Sequence, residues 1–395
     1  MLLGIMLLRM TISMRNPFRF GALALDESFA DRESEIRELA ADMRNGQDVV
    51  VFAPRRFGKS SLVWAATRSL VSDPALVAQI DLMTTPTKER LAAALAAAIY
   101  EEIASPLERV REKALAPFDA LRVRPTVNIE PATGAFSFSF SVARGEADIN
   151  ATIKRLLELP AELGAARGRH TALVIDEFQE IVDIDPDLPK LFRAVFQQQP
   201  EVAHVYLGSK RHVMERIFND DNQPFWRSAK SIELGPIEVE PFAAFISDRL
   251  LETGREPDEE AVEELLRVTG GHPYATQELG YFLWEETPEG EVASPQRLQF
   301  ALEAVLRSEN AHFGLLWEGA SSVQRLVLQA LAAEAGHPYR NDYRARHELP
   351  ATASVQKALR ALEQREVVAG SNGAYRIVEP FLAEWLNRQE SSLPS

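Results

Sequence analysis

The sequence predicts an α/β fold, a parallel sheet with helices on both faces, followed by a helical region and a C-terminal helix-and-wing tail. Three observations carry that expectation. Short, largely apolar runs alternate with helical periodicity as far as Leu234. From Val239 the pattern turns helical. The stretch from about Ser321 to Arg388 then reads helix, short helix, helix and two short strands around Gly370-Ser371-Asn372-Gly373.

Val49–Phe52 contains no polar residue, as a strand buried on both faces requires. Leu76–Ile80, Ala172–Ile175 and Val202–Leu207 resemble it, and Ser231–Leu234 is a weaker fifth strand. Helical patterns at Arg32–Met43, Ser60–Leu70, Lys88–Ile103, Ile149–Ala166 and Leu188–Gln199 separate them. Strands alternating with helices imply parallel pairing with both faces covered. One segment departs from this. Thr126–Ile129 and Phe136–Val142 alternate apolar and polar residues around Pro131-Ala132-Thr133-Gly134, a hairpin signature with Phe136, Phe138 and Phe140 on one face. It reads as an insertion near 123–144, between the second and third core strands. Its phenylalanines either pack on their own domain or form a partner surface.

Beyond Val239, helices are expected at Pro241–Thr253, Asp258–Thr269, Tyr274–Glu286 and Pro295–Ser308. In the tail they are expected at Val323–Ala333, Asn341–His347 and Ala351–Gln364, with Val367–Val368 and Tyr375–Ile377 forming the wing.

Composition bounds the function. The 395 residues suit two or three domains, at ~150 residues each. The formal charge of −15 argues against broad nucleic-acid binding, which needs a basic face, though not against one small basic module. The absence of cysteine excludes disulfides, thiolate metal sites and cysteine nucleophiles, and fits a reducing, cytoplasmic setting. The apolar start, MLLGIMLLRMTISM, is shorter than the ~20 residues needed to cross a bilayer. It reads as a weak signal core, a disordered extension over 1–15, or a start mis-assigned ahead of Met14. No membrane partner is expected.

The chemistry sits at two strand ends. Ala53-Pro54-Arg55-Arg56-Phe57-Gly58-Lys59-Ser60 follows the first strand and opens a helix. It matches the G-x-x-x-x-G-K-[ST] phosphate-binding loop except for Ala53 at the first position. Such a loop wraps backbone N–H groups around a polyphosphate at a helix N-terminus. Gly58 allows close approach, Lys59 reaches the β- and γ-phosphates, and Ser60 offers its hydroxyl to Mg²⁺. Thr171–Ile181, TALVIDEFQEI, is the second half. Asp176 and Glu177 end a buried strand, the edge where open α/β sheets bind ligands. There Asp176 suits Mg²⁺ and Glu177 suits proton abstraction from an attacking water. Ser209, after Val202–Leu207, is placed to sense a γ-phosphate, and Arg211 or Lys210 to add positive charge in the transition state. Arg227 reads as an ordinary surface arginine or a weaker candidate for the same job. No Asn-Lys-x-Asp string is present to read guanine, so ATP is expected rather than GTP.

The Arg55–Ser60 loop, Ile175-Asp176-Glu177-Phe178-Gln179 and Gly271-His272-Pro273 together resemble the archaeal-type ATPase family, in the STAND branch of the AAA+-related P-loop NTPases. Asn16-Pro17-Phe18-Arg19-Phe20-Gly21, Phe29-Ala30-Asp31-Arg32-Glu33 and the closing Tyr375–Phe381 are also similar to that family. The resemblance implies a P-loop NTPase core over 16–238 with sheet order 5-1-4-3-2, a helical lid over 239–310 and a winged helix over 311–395. It implies ATP hydrolysis to ADP, with Mg²⁺, coupled to a conformational switch. It places the lead-in, with Arg32, against the nucleotide, and His272 and Pro273 near the phosphates or at the lid–core contact. The nucleotide set is then Pro54, Arg55, Arg56, Phe57, Gly58, Lys59, Ser60, Ser61, Arg32, His272 and Pro273. The metal set is Ser60 and Asp176, and the catalytic set is Glu177, Lys59, Ser209 and Arg211.

Between Arg340 and Arg376 seven basic residues face four acidic ones, against the acidic whole. Lys357 and Arg360, on the third tail helix, can therefore meet DNA. A protein-docking winged helix that reports nucleotide state is the competing expectation. A nucleotide-gated DNA-binding or protein-docking regulator with little hydrolysis is the alternative function, and a homo-oligomer is compatible with either.

Overall fold

The computed structural model describes residues 15–21, 31–70, 75–103, 118, 121, 125–129, 136–140 and 146–391. The expectations for 1–14, for Phe29 and Ala30, and for the hairpin tip at 131–134 lie outside them. The described residues form two compact units, Arg32–Gly235 and a second made of the segment before Arg32 together with Pro236 onward.

The first unit holds a five-stranded parallel sheet. Its strands are β1 (Val49–Phe52), β2 (Leu76–Asp81), β5 (Thr171–Asp176), β6 (Val202–Gly208) and β7 (Lys230–Glu233). Their order is β2-β5-β6-β1-β7, the expected 5-1-4-3-2 read from the other edge. β1, β5 and β6 are buried almost throughout, which is why they are largely apolar text. β2 and β7 lie at the edges and carry exposed positions, which explains the weaker signal of β7. Helices α1 (Glu33–Arg44), α2 (Lys59–Ser69), α3 (Lys88–Ile103), α4 (Glu146–Arg167), α5 (Ile181–Ile184), α6 (Leu188–Phe196) and α7 (Arg211–Asn219) follow the sheet. α7 is not among the helices expected from the sequence. Its short amphipathic turns form a helix because Met214, Ile217 and Phe218 find a buried face on the core.

The hairpin is present as β3 (Thr126–Ile129) paired antiparallel with β4 (Phe136–Ser139). Phe138 and Phe140 are buried in the core of this unit, with the Phe138 ring 5.4 Å from Tyr100 and 5.6 Å from Phe118. These two phenylalanines thus pack on their own unit.

The second unit contains α8 (Val239–Glu252), α9 (Glu259–Thr269), α10 (Pro273–Glu286), α11 (Pro295–Glu318) and a short parallel pair, β8 (Glu256–Pro257) with β9 (Val292–Ala293). It continues with α12 (Ser322–Ala333), α13 (Asn341–Arg346), α14 (Thr352–Gln364), the antiparallel wing β10 (Val368–Ser371) and β11 (Ala374–Ile377), and α15 (Pro380–Ser391). The lid boundary and the lead-in differ from expectation. α11 runs ten residues past Ser308, through the boundary drawn at 310, so lid and winged helix share one apolar core that includes Phe313, Phe381 and Trp385. Residues 15–21, read as the head of the ATPase core, pack on α10 instead. Phe18 is buried against Gly280, where an added Cβ would stand 2.8 Å from the ring, and Asn16 Nδ2 donates to Tyr281 O at 3.0 Å. Among the described residues no helix is long and apolar enough to cross a membrane.

Candidate functional site

The sheet order explains how two segments about 115 residues apart in sequence form one site. β6 lies between β1 and β5, so the loop leaving β1 and the acidic pair ending β5 are only two strand spacings apart, ~10 Å. All three strands run parallel, so their C-terminal ends open on one edge.

After β1 the chain turns sharply. Arg56 has φ 65° and Gly58 φ 85°, both left-handed, and Gly58 caps α2. The left-handed value costs glycine little, which accounts for its place at the helix entry. Lys59 is 7% exposed, and its Nζ donates to Ala53 O at 3.0 Å and Pro54 O at 3.2 Å. The ammonium is thus held across the loop by the carbonyls that precede it. Arg55 and Arg56 are exposed, whereas Phe57 and Ser61 are buried and anchor the loop to the core. Pro54 is partly buried.

Ser60 Oγ donates to Asp176 Oδ2 at 3.1 Å, joining the loop to β5. Asp176 Oδ1 accepts from the Glu177 N–H at 2.9 Å. Glu177 itself has φ 50°, left-handed, at the start of the 3₁₀ turn Phe178–Glu180. For a non-glycine residue that conformation costs free energy and is common at functional sites. Glu177 Oε2 accepts from Ser209 Oγ at 3.0 Å and from Gln179 Nε2. One bonded chain therefore runs Ser60–Asp176–Glu177–Ser209 across β1, β5 and β6.

Burial pushes the Asp176 carboxyl above the ordinary aspartate value, and the neighbouring Glu177 charge adds to the rise. The Glu177 N–H, the Ser60 hydroxyl and the Lys59 ammonium oppose it without cancelling it. A carboxylate in this state is short of positive charge. Two hard oxygens, Ser60 Oγ and Asp176 Oδ2, stand 3.1 Å apart, a donor set that fits Mg²⁺. The linkage has a definite sign. An aspartate raised by folding contributes stability below its unfolded value and loses it as pH rises through the raised value. At pH 8 Asp176→Asn, which keeps the shape without the charge, is therefore expected to raise the melting temperature of the nucleotide-free protein by roughly 2–4 °C, corresponding to about 1 kcal/mol. The gain should shrink as pH falls toward the unfolded aspartate value near ~4. Thermal unfolding of both proteins across that range checks it, and equal curves at pH 8 would contradict it.

The structure also places the other expected residues. Lys210 Nζ pairs with Glu180 Oε1 at 2.8 Å. Arg211 is 52% exposed and pairs with Glu215 at 2.8 Å and with Glu233, outside the bonded chain. Arg32, buried and left-handed at φ 72°, donates to Gly235 O at 2.6 Å and to Glu35 at 3.3 Å. Arg227 has its guanidinium 5.2 Å from the Trp226 ring centre. In the second unit, Gly271-His272-Pro273 makes a helix-to-helix junction. Gly271 is left-handed, and a Cβ there would lie 2.5 Å from Ile237 O. His272 caps α10, its Nδ1 accepting from Ala275 N at 3.3 Å, and Pro273 takes the first turn. Lys357 and Arg360 lie on the exposed face of α14. The residue that sequence reading missed is Gln179. Its position two after Glu177 was visible, but nothing in the text signals that its side chain turns back on the carboxylate.

Residues 29–279 match the model of an ATPase domain found predominantly in Archaea, and residues 311–388 match a probable winged helix domain. No curated protein matches the chain. Among solved structures it is similar to a Walker-type ATPase of Pyrococcus abyssi, with TM-score 0.64 and 17% identity over 92% of this chain and 97% of that one. It is also similar to the ORC2 protein of Aeropyrum pernix in its ADPNP–ADP complexes, with TM-score 0.52 and 13% identity over 95% and 99% of the two chains. At these identities the likeness is one of fold. The family match spans well over half of the 395 residues and contains both the phosphate-binding loop and the Asp-Glu strand end, so the chain belongs to the predominantly archaeal ATPase family of P-loop proteins.

Proposed function

We propose that this chain binds Mg²⁺-ATP and hydrolyses it to ADP and phosphate, in the manner of STAND-type ATPases, with the cycle driving rearrangement of the helical lid and winged helix. The observation that carries this reading is the bonded chain from Ser60 through Asp176 and Glu177 to Ser209, with the Lys59 ammonium at the same loop. In-line phosphoryl transfer needs little beyond positioning and charge stabilisation, and these groups are the ones it requires. Backbone N–H groups of the loop over Pro54–Ser61 bind the phosphates, and Lys59 turns from the Ala53 and Pro54 carbonyls to the β- and γ-oxygens. Ser60 and Asp176 would hold the metal, which would neutralise charge on the phosphates. Glu177 takes a proton from the attacking water, and Ser209, whose hydroxyl donates to Glu177 Oε2, keeps that carboxylate in place. Arg211 would have to leave Glu215 and Glu233 to add charge there. Arg32, in the same unit as the loop, completes the set as a nucleotide-state contact.

The second reading, a nucleotide-gated regulator, is favoured by one feature. The exposed face of α14 from Thr352 to Arg360 carries Lys357 and Arg360 and no acid. One experiment addresses both readings: steady-state phosphate release from ATP, with Mg²⁺ or with EDTA, and with or without duplex DNA at low salt. Turnover that needs Mg²⁺ is expected. A further rise with DNA would make α14 a DNA-reading helix. No release under any condition would leave only the regulator reading.

A further inference from the structure

Gln179 lies in the 3₁₀ turn after Glu177 and is 2% exposed. Its Nε2 donates to Glu177 Oε2, the oxygen that also accepts from Ser209 Oγ at 3.0 Å. Both donors meet one carboxylate oxygen. Glu177 Oε1 has no hydrogen-bond partner among the described residues. The other end of the amide is unusual as well, since Gln179 Oε1 is buried with no hydrogen-bond partner among the described residues. A side chain retained for packing alone would not carry that unpaired acceptor. Methionine fills nearly the same volume without it. What glutamine adds here is the N–H on Glu177.

We infer that Gln179 is a positioning residue for ATP hydrolysis, which with Ser209 clamps Glu177 Oε2 so that Oε1 faces the attacking water. This rests on the ATPase reading above. A glutamate carboxyl rotates about three side-chain bonds, and a base adrift by an ångström loses much of its effect. Two donors on one oxygen fix both the position and the roll of the carboxylate. Oε1 then takes a proton from water as the water oxygen bonds to the γ-phosphorus and the bond from that phosphorus to the β,γ-bridging oxygen breaks, leaving ADP. Phe178, locked in the core beside Glu177, holds the backbone of the same turn.

The test is Gln179→Met in the full chain, with phosphate release followed at steady state and in single turnover, and ATP binding measured separately. The expected result is a fall in kcat of about tenfold to hundredfold, with the KM and the Kd for ATP unchanged. The melting temperature should be equal or higher. If the methionine variant does not fold, Gln179→Asn, whose amide is set back by one methylene, replaces it with the same expected loss. A residue acting through Glu177 has nothing left to position once the base is gone. In a Glu177→Gln background the second substitution should therefore cost no further rate. Wild-type kcat in a folded variant, or losses that multiply in the double variant, would overturn the clamp while leaving the ATPase reading intact. A wild-type chain that releases no phosphate from Mg²⁺-ATP would overturn both.

Discussion

Glu177→Gln is expected to keep ATP binding within a few-fold of wild type and to lower turnover by about a hundredfold to ten-thousandfold. The substitution preserves shape and removes one function. Glu177 Oε2 accepts from Ser209 and Gln179, so a glutamine at 177 must turn its carbonyl oxygen toward those donors. Its NH₂ then occupies the position of Oε1. An amide nitrogen there donates and cannot take a proton from water. The loop that grips the phosphates, Lys59 and the Ser60–Asp176 bond are untouched. The expected pattern is thus a loss confined to kcat, the signature of an interaction made in the transition state. Phosphate release together with calorimetric ATP binding would show it. Undiminished turnover would remove Glu177 from its role as base.

The largest expected effect on stability comes from the next residue. Phe178 is 0% exposed, with ring centres at 4.6 Å from Tyr206, 5.2 Å from Phe225 and 5.7 Å from Phe218. Phe178→Ala should destabilise the Arg32–Gly235 unit by about 3–5 kcal/mol, from lost transfer energy and the cavity left behind. At this size that is a melting-temperature fall of roughly 6 °C or more. Turnover measured well below the transition should fall too, because Phe178 anchors the 3₁₀ turn carrying Glu177 and Gln179. Phe178→Leu should recover most of the stability. A melting curve that matches wild type for the alanine variant would mean that the aromatic cluster closes over the gap and that the turn is held by other groups.

These two adjacent residues show where sequence reading succeeds. The run Ala172–Ile175 is legible because a strand buried on both faces needs uninterrupted apolar residues, and the acidic pair marks where it meets water. Gly58-Lys59-Ser60 is legible because a phosphate loop needs particular residues at fixed local spacing. Gln179 and Ser209 meet the same carboxylate oxygen, yet they come from different strand ends. Periodicity carries no information about such a meeting. Arg211 shows the converse. Its place after β6 suggested the phosphates, but Glu215 and Glu233 hold it elsewhere.

By itself, the sequence determined the element types, the parallel character of the sheet, the phosphate-binding loop, the Asp-Glu strand end and the wing. Each is written in neighbouring residues, where backbone geometry imposes a period or a motif. Tertiary structure decided which strands became neighbours, that Ser60 bonds to Asp176, that Ser209 and Gln179 share Glu177 Oε2, and that α11 merges lid and winged helix into one core. Those outcomes depend on which buried surfaces fit together over long sequence separations, and parallel strands joined through helices leave no local trace of their final order.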